Sequence, residues 1–436
     1  MSSDSLDPVE AVAIPPAADV AAATGFGLRW VICGLLFFAT TINYVDRVTM
    51  SVMESTLQKA IGWDEFGWGF INASFMAAYA VGSLLAGWMI DRLGTRLGFS
   101  ISLIVWSIMS AAHALAFNTF TFVVARFALG IGESGNFPGA IKTTAEWFPK
   151  KERATATGIF NSGSNVGQIV AAGVVPIIAL KFGWQAAFVV TGLAGLLWVV
   201  LWWPIYRRPQ EHPWISTAEL AYIESDPPDR VEKIAWKQLL PFRQTWAFAI
   251  GKFMTDSIWW FYVFWFPKFM NKQFGMDIKT IGLPMVTVYV LATVGSIFGG
   301  WESSWLLARG WTTSAARKTA MLTCAVFVVP VTAAPLVSSP WAAVFLIGLA
   351  TAAHQGFSCN LFTLTSDMFP RRAIGSVVGL GTFAGATGGF LLQISAGLII
   401  KLTGNYVIIF AAAGSAYLAA LLLIHLLVPR IEPVEL

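Results

Sequence analysis

Two residues of opposite charge, Arg126 and Glu133, stand seven positions apart in the apolar run RFALGIGE. Seven residues turn an α-helix by about 700°, so both side chains look out from nearly one face. Charge inside an apolar segment is costly, and it normally faces a protein interior or an aqueous cavity on a substrate or proton path. The other reading is a static salt bridge that holds a bundle together. A second group lies in the run Asn43-Tyr44-Val45-Asp46-Arg47. A guanidinium stays charged at any working pH and offers a planar fork that matches a carboxylate, so Arg47 and Arg126 are the candidates for holding an anion. Tyr44 precedes Arg47 by three residues, on the same helical face, and can donate a phenolic hydrogen bond. Asp46 and Glu133 are the candidates for carrying protons: an acid balanced between burial and a neighbouring cation can load a proton on one side of a membrane and release it on the other. Asp46 adjoins Arg47 and Glu133 shares a face with Arg126, so each acid has a cation for which a substrate would compete. A fixed pair in which Asp46 merely neutralises Arg47 is the alternative.

The elements that must position these groups follow from composition. A chain of 436 residues with 56% hydrophobic and 12% charged residues and mean hydropathy +0.66 is too apolar for a water-soluble globule. Its apolar runs are continuous and of helix length, without the alternation of a membrane barrel. The fold class is an all-α polytopic membrane protein of twelve transmembrane helices in two pseudo-symmetric six-helix bundles. The divisions are a cytoplasmic tail at 1–27, a first bundle at 28–206, a cytoplasmic linker at 207–244, a second bundle at 245–428 and a tail at 429–436. The tail lacks a positive stretch before an apolar core, so it is not a cleavable signal. In the linker, Ser216 or Thr217 can cap a short surface helix with Glu219 in its first turn.

The two halves are repeats. Glu146-Trp-Phe-Pro149-Lys150-Lys151 in the first answers Asp367-Met-Phe-Pro370-Arg371-Arg372 in the second, at an offset of 221. The same offset puts Gly158 on Gly379, Gly163 on Ala384, Gly167 on Gly388, and Glu133 on His354. Gly158, Gly163, Gly167, Gly379, Gly385 and Gly388 are expected to let helices approach and slide. Two such halves with a site between them at mid-membrane is a transporter architecture. Arg92, Arg96, Lys150, Lys151, Arg153, Arg207, Arg208, Arg317, Lys318, Arg371, Arg372 and Arg430 crowd one side. Lys59, Lys181, Lys268, Lys272, Lys279 and Lys401 lie on the other. The first side is cytoplasmic by the positive-inside rule, which puts both termini there.

Other classes find little support. No nucleic-acid partner is implied, because there is no basic stripe on a soluble domain. Cys33, Cys324 and Cys359 lie in apolar segments without metal-ligand spacing. An enzyme would show HExxH, GxSxG or paired aspartates at membrane depth, and a primary pump a P-loop; neither occurs in the sequence. A channel would not need two repeats with buried acids and bases.

The loop Gly87-x-x-x-Asp91-Arg92-x-Gly94-x-Arg96, with NYVDR at 43–47, GIGESGNFPGAIKTTAEWFPKKERA at 130–154 and HQGFSCNLFTLTSDMFPRR at 354–372, resembles the major facilitator superfamily. Within it the chain looks like the anion:cation symporters, and among these the hexuronate transporters that take up galacturonate and glucuronate with protons. The resemblance runs from about Arg29 to Leu427. It implies the superfamily fold, a bacterial inner membrane, uptake driven by the proton gradient without a cofactor, and a monomer in lipid whose partners are a small organic anion and protons. Relatives carry galactonate, glucarate and other organic acids, so an aldonate, aldarate or monocarboxylate is the alternative substrate.

The resemblance assigns substrate contact to Arg47, Arg126, Tyr44 and Tyr79, though Tyr79 also reads as a packing tyrosine. A sugar acid presents hydroxyls too, for which Asn161, Ser164 and Asn165 in the fifth helix, His354, Gln355 and Asn360 in the tenth and Thr382 in the eleventh are candidates. For His354 the plain alternative is a packed histidine. The family's site residues fall on Ser164, Cys359, Phe362 and Thr382. Trp259, Trp260 and Trp265 could stack on a sugar ring but stay outside the core set. Asp91, Arg92 and Arg96, with Lys150 to Arg153, are expected as a cytoplasmic clasp that gates the outward-open state. The second half departs from this pattern: Ser304 and Trp305 fall where Asp91 and Arg92 sit, and Glu302 stands where an apolar residue is expected.

Overall fold

The computed structural model describes residues 27–225 and 236–434, so the expected tail lies outside it except for Gly27. The first half contains α1 (Leu28–Val52), α2 (Glu54–Ile61), α3 (Glu65–Leu93), α4 (Thr95–Ala112), α5 (Thr119–Glu133), α6 (Asn136–Trp147), α7 (Lys150–Phe182) and α8 (Trp184–Ile205). Two short helices follow in the linker, α9 (Thr217–Ile223) and α10 (Trp236–Leu239). The second half holds α11 (Arg243–Phe274), α12 (Gly282–Ala308), α13 (Thr313–Val328), α14 (Pro340–Met368), α15 (Arg371–Thr403) and α16 (Val407–Leu427). No strand occurs among the described residues.

Among the described residues nine helices are long and apolar enough to cross a membrane, and α3, bent by 42°, makes a tenth. The other two of the twelve spans are the charged α11 and the broken pair α5–α6. The break was not expected. It falls at Ser134-Gly135, directly after Glu133, in a Gly-rich stretch that holds a helix poorly. Close packing explains the composition: a Cβ on Gly132 would lie 2.6 Å from the Trp106 backbone nitrogen of α4.

Local signals start and stop the elements. The Asp64 carboxylate caps α3 by accepting from the Gly67 amide at 2.7 Å, and Ser216 caps α9 by accepting from Glu219 at 3.1 Å, as its sequence suggests. Gly275 ends α11 at φ +68°, a left-handed conformation that a side chain would disfavour. The linker helix belongs to the first bundle: Glu219 of α9 accepts from Arg29 at 3.0 Å, and Glu152 of α7 holds both Arg29 (2.9 Å) and the Tyr222 hydroxyl (2.9 Å).

Within the halves α1 packs along α7 and α11 along α15; between them α3 meets α15 and α7 meets α12. The expected small residues mostly sit at these crossings. A Cβ on Gly163 would lie 2.5 Å from the Phe37 carbonyl, Gly167 abuts the Thr41 carbonyl, and Gly388 abuts that of Phe253. Gly158 meets nothing within 4 Å.

The halves close on each other at the end opposite the arginine-rich loops. Lys268 of α11 meets Glu54 of α2 at 2.5 Å, Lys401 of α15 meets Asp64 at 2.8 Å, and Lys272 meets Glu65 at 3.2 Å. The first of these pairs is buried on both sides, while the others are partly exposed. The Lys401 hydrogen bond also holds the Asp64 carboxyl below its usual range, so this acid stays ionised. Beside the pairs Gly69 runs so close to α15 that a Cβ would lie 2.5 Å from the Gln393 carbonyl. Gly69→Val is therefore expected to hold this end apart. A Met76→Cys reporter, buried beneath the closure, should then react faster with an impermeant thiol reagent added on that side. Unchanged labelling would count against the closure as described.

Candidate functional site

Helix α1 delivers Asn43, Tyr44, Asp46 and Arg47 into the middle of the first bundle, and α5 delivers Arg126 and Glu133. Arg47, Arg126, Asp46 and Glu133 are at most 1% exposed. The shared face of Arg126 and Glu133 holds, but they do not bond each other. Two turns of helix separate them by about 10 Å, and Arg47 fills the gap from α1. Its Nε donates to Glu133 at 2.8 Å and its NH2 to Asn43 at 3.0 Å. Arg126 donates to the Arg47 carbonyl at 2.8 Å, while its Nε and Nη1 have no partner among the described residues. Asp46 does not bond Arg47; it accepts from Ser110 of α4 at 2.6 Å, lies within electrostatic reach of Arg126, and keeps one oxygen unpartnered. The expected pairing is thus crossed: the acid of each helix serves the arginine of the other. Two cations and two acids make a neutral group, and protonating either acid leaves one positive charge in excess.

Aromatic rings wall this group. The Arg47 guanidinium carbon lies 4.5 Å from the Tyr44 ring centroid, 4.9 Å from Tyr79 and 5.2 Å from Trp260, which reaches across from α11. Tyr44 and Tyr79 therefore border the four-charge group, and Trp260, outside the core set, joins them. Rings around a guanidinium stabilise its charge without consuming its N–H donors.

Other candidates are placed elsewhere. Ser164 donates to the Asn161 carbonyl of its own helix at 2.7 Å; Asn165 is half-buried, with a buried amide oxygen that has no partner. Gln355 and Thr382 are half-buried on α14 and α15. His354 and Asn360 are engaged inside the second bundle. The His354 Nδ1 pairs with the Tyr417 hydroxyl at 2.7 Å and its ring stacks on Trp259 at 4.9 Å, while Asn360 donates to the Gly299 and Gly356 carbonyls at 2.9 and 3.0 Å. Trp265 donates to Gln393 at 2.6 Å. In the gating set Asp91 receives Lys142 at 2.9 Å, Arg92 lies 4.5 Å from the Trp88 ring, and Arg96 lies 4.6 Å from that of Trp203 and bonds its carbonyl. Arg153 donates to the Phe148 and Ala145 carbonyls, and the side chains of Lys150 and Lys151 are outside the description. Glu302 accepts from Thr323 at 2.8 Å.

Sequence reasoning missed Lys252 and Asp256, an ion pair at 2.6 Å one turn apart on α11. Their i, i+4 spacing inside an apolar span was the available signal.

Two bundles closed over a buried, charge-balanced centre define a membrane transporter. Residues 36–393 match the profile described as Major Facilitator Superfamily. The hexuronate transporter of Escherichia coli (strain K12) is 31% identical over 361 residues, covering 81% of this chain and 83% of that one. The probable galactarate/D-glucarate transporter GudP of Bacillus subtilis (strain 168) is 31% identical over 432 residues, 94% of each. Among solved structures, a D-xylose-proton symporter superposes with a TM-score of 0.71 at 16% identity, covering 92% of this chain and 98% of its own. The chain belongs to the major facilitator superfamily, as a multi-pass transporter and not an enzyme.

Proposed function

We propose that this protein is a proton-coupled symporter that imports a hexuronate, such as galacturonate or glucuronate, by alternating access. The observation that carries this reading is the guanidinium fork of Arg126, two of whose nitrogens have no partner among the described residues, within the neutral four-charge group. A substrate carboxylate placed on that fork adds a negative charge, and a proton on Glu133 or Asp46 restores neutrality. Binding of anion and proton thereby favour each other, which is the requirement for symport. The proton gradient drives the cycle and no cofactor takes part. The setting is a bacterial inner membrane with both termini cytoplasmic, so that the lysine–carboxylate end faces outward and the arginine-rich end inward. Asp91, Arg92 and Arg96 act as gating groups at the inner end. The names of the relatives, hexuronate and galactarate/D-glucarate transporters, support a sugar-acid substrate.

The test is uptake into proteoliposomes under an imposed acid-outside gradient, with galacturonate, glucuronate, glucarate and galactonate as substrates. Glu133→Gln is expected to lose accumulation against a gradient and to retain counterflow exchange, because the neutral amide mimics the protonated acid. Full proton-driven accumulation by this variant would reject the assignment. A second reading, a symporter of an aldarate, aldonate or monocarboxylate, draws on the 94% span of the galactarate/D-glucarate relative. Accumulation of glucarate with none of either hexuronate would favour it.

A further inference from the structure

The second half carries its own ion pair outside the four-charge group. On α11, Lys252 and Asp256 meet at 2.6 Å with side chains 6% and 16% exposed. Pseudo-symmetry shows where they face. Gly167 abuts the Thr41 carbonyl and its repeat partner Gly388 abuts that of Phe253, so residue 253 answers residue 41, an offset of 212. That register sets Asp256 at the place of Tyr44, Lys252 at that of Thr40 and Trp259 at that of Arg47. A separate contact bears it out. Arg47 bonds Glu133 in the first half, and Trp259 stacks on His354, the counterpart of Glu133, in the second. Asp256 therefore occupies the station from which Tyr44 borders Arg47.

Several contacts put the pair at the edge of the central space. The Lys252 Nζ lies 4.3 Å from the Phe362 ring centroid, and that ring is 39% exposed on a face of α14 shared with Gln355 and Ser366. Gly385 leaves room for the carboxylate, since a Cβ there would lie 2.5 Å from the Asp256 Oδ2. Across the halves, Asp256 is within electrostatic reach of Tyr44. Trp260, one turn beyond Asp256, touches the Arg47 guanidinium. Asp256 precedes Trp260 by one turn, about 6 Å along the axis, and Lys252 starts one turn further off, so it is the Lys252 Nζ, 2.6 Å from the Asp256 carboxylate, that stands roughly one turn from the arginine pole. A six-carbon chain places its end carbons roughly 6 Å apart, from ordinary C–C bond lengths.

We propose that Lys252 is a second anion-binding group of the central site, which adds affinity for sugar acids carrying a carboxylate at both ends. The inference rests on the reading that Arg47 and Arg126 hold the first carboxylate. A hexuronate uses that pole alone; a diacid also draws Lys252 away from Asp256. Asp256, faced by Lys252 on its own helix, Tyr44 from α1 and Tyr417 from α16, takes a proton as it loses its counter-ion. A diacid is then carried with one proton more than a monoacid.

The experiment compares galactarate and galacturonate binding to the purified full-length protein by calorimetry. Lys252→Met is expected to weaken galactarate about tenfold or more, the effect of losing a hydrogen bond to a charged group, and to leave galacturonate within about twofold. Equal losses for both acids, or unchanged galactarate binding, would overturn the proposal while the arginine pole stands. Asp256→Asn removes the competitor and is expected to raise the preference for galactarate. It carries the test if Lys252→Met fails to fold, and an unchanged or lower preference would overturn the proposal. Binding of neither acid by the parent protein overturns both this proposal and the carboxylate reading beneath it.

Discussion

Arg47→Ala is expected to abolish uphill uptake and to weaken substrate binding about a hundredfold or more, the range for truncating one partner of a buried charge pair. The same substitution strands Glu133, whose Oε2 accepts from Arg47 at 2.8 Å and whose Oε1 has no partner among the described residues. Breaking a buried pair from one side costs about 3–5 kcal/mol, so a marked fall in thermal stability accompanies the loss. Removing both charges in Arg47→Ala/Glu133→Gln should return most of the stability and none of the transport. That split separates a functional cation from a scaffold. Liposomes carrying Arg47→Ala that accumulate solute as well as the parent would refute the assignment. Arg47→Lys retains charge but not the fork, and its binding should fall between the two.

Lys268→Met is expected to open the lysine–carboxylate end. Glu54 is 1% exposed there and its second oxygen has no partner, so loss of Lys268 leaves a buried, uncompensated acid. A penalty of about 3–5 kcal/mol against the closed arrangement shifts its population by about two to four powers of ten. Labelling of the Met76→Cys reporter from that side measures the shift directly, and Glu54→Gln/Lys268→Met should restore protection. If the single variant stays protected, the pair does not hold the end closed. The two outer pairs are partly exposed, and each is worth about 0–1 kcal/mol.

The fold was largely legible because its signals are long. Apolar runs of membrane length, the offset of 221 between Glu146 and Asp367, and the arginine-rich side needed no tertiary information. The identity of the central residues was legible for the same reason, since Arg47, Asp46, Arg126 and Glu133 are conspicuous in an apolar background. Their pairing was not. Helical periodicity gives the face of a side chain but not the neighbour that the face meets, so Glu133 was matched to Arg126 on its own helix when Arg47 reaches it from α1. The same limit hid the engagement of His354 by Trp259 and Tyr417 and of Asn360 by two carbonyls of α12 and α14. Lys252 and Asp256 were readable as an i, i+4 pair, but their spacing does not say that the pair faces Phe362 of α14 and Gly385 of α15. Lys268, Lys272 and Lys401 entered only as loop charges that orient the chain, because nothing local says that their partners lie in the other half.

Those three lysines all belong to the second half, and their partners Glu54, Asp64 and Glu65 all belong to the first. Once the mouth parts, these pairs leave three cations on one lip and three carboxylates on the other. An approaching anion is repelled by one wall and drawn along the other, so the bolts of the shut gate double as a guide rail for cargo. Capture at this mouth should consequently slow as ionic strength rises, while the deeply shielded arginines remain indifferent to salt.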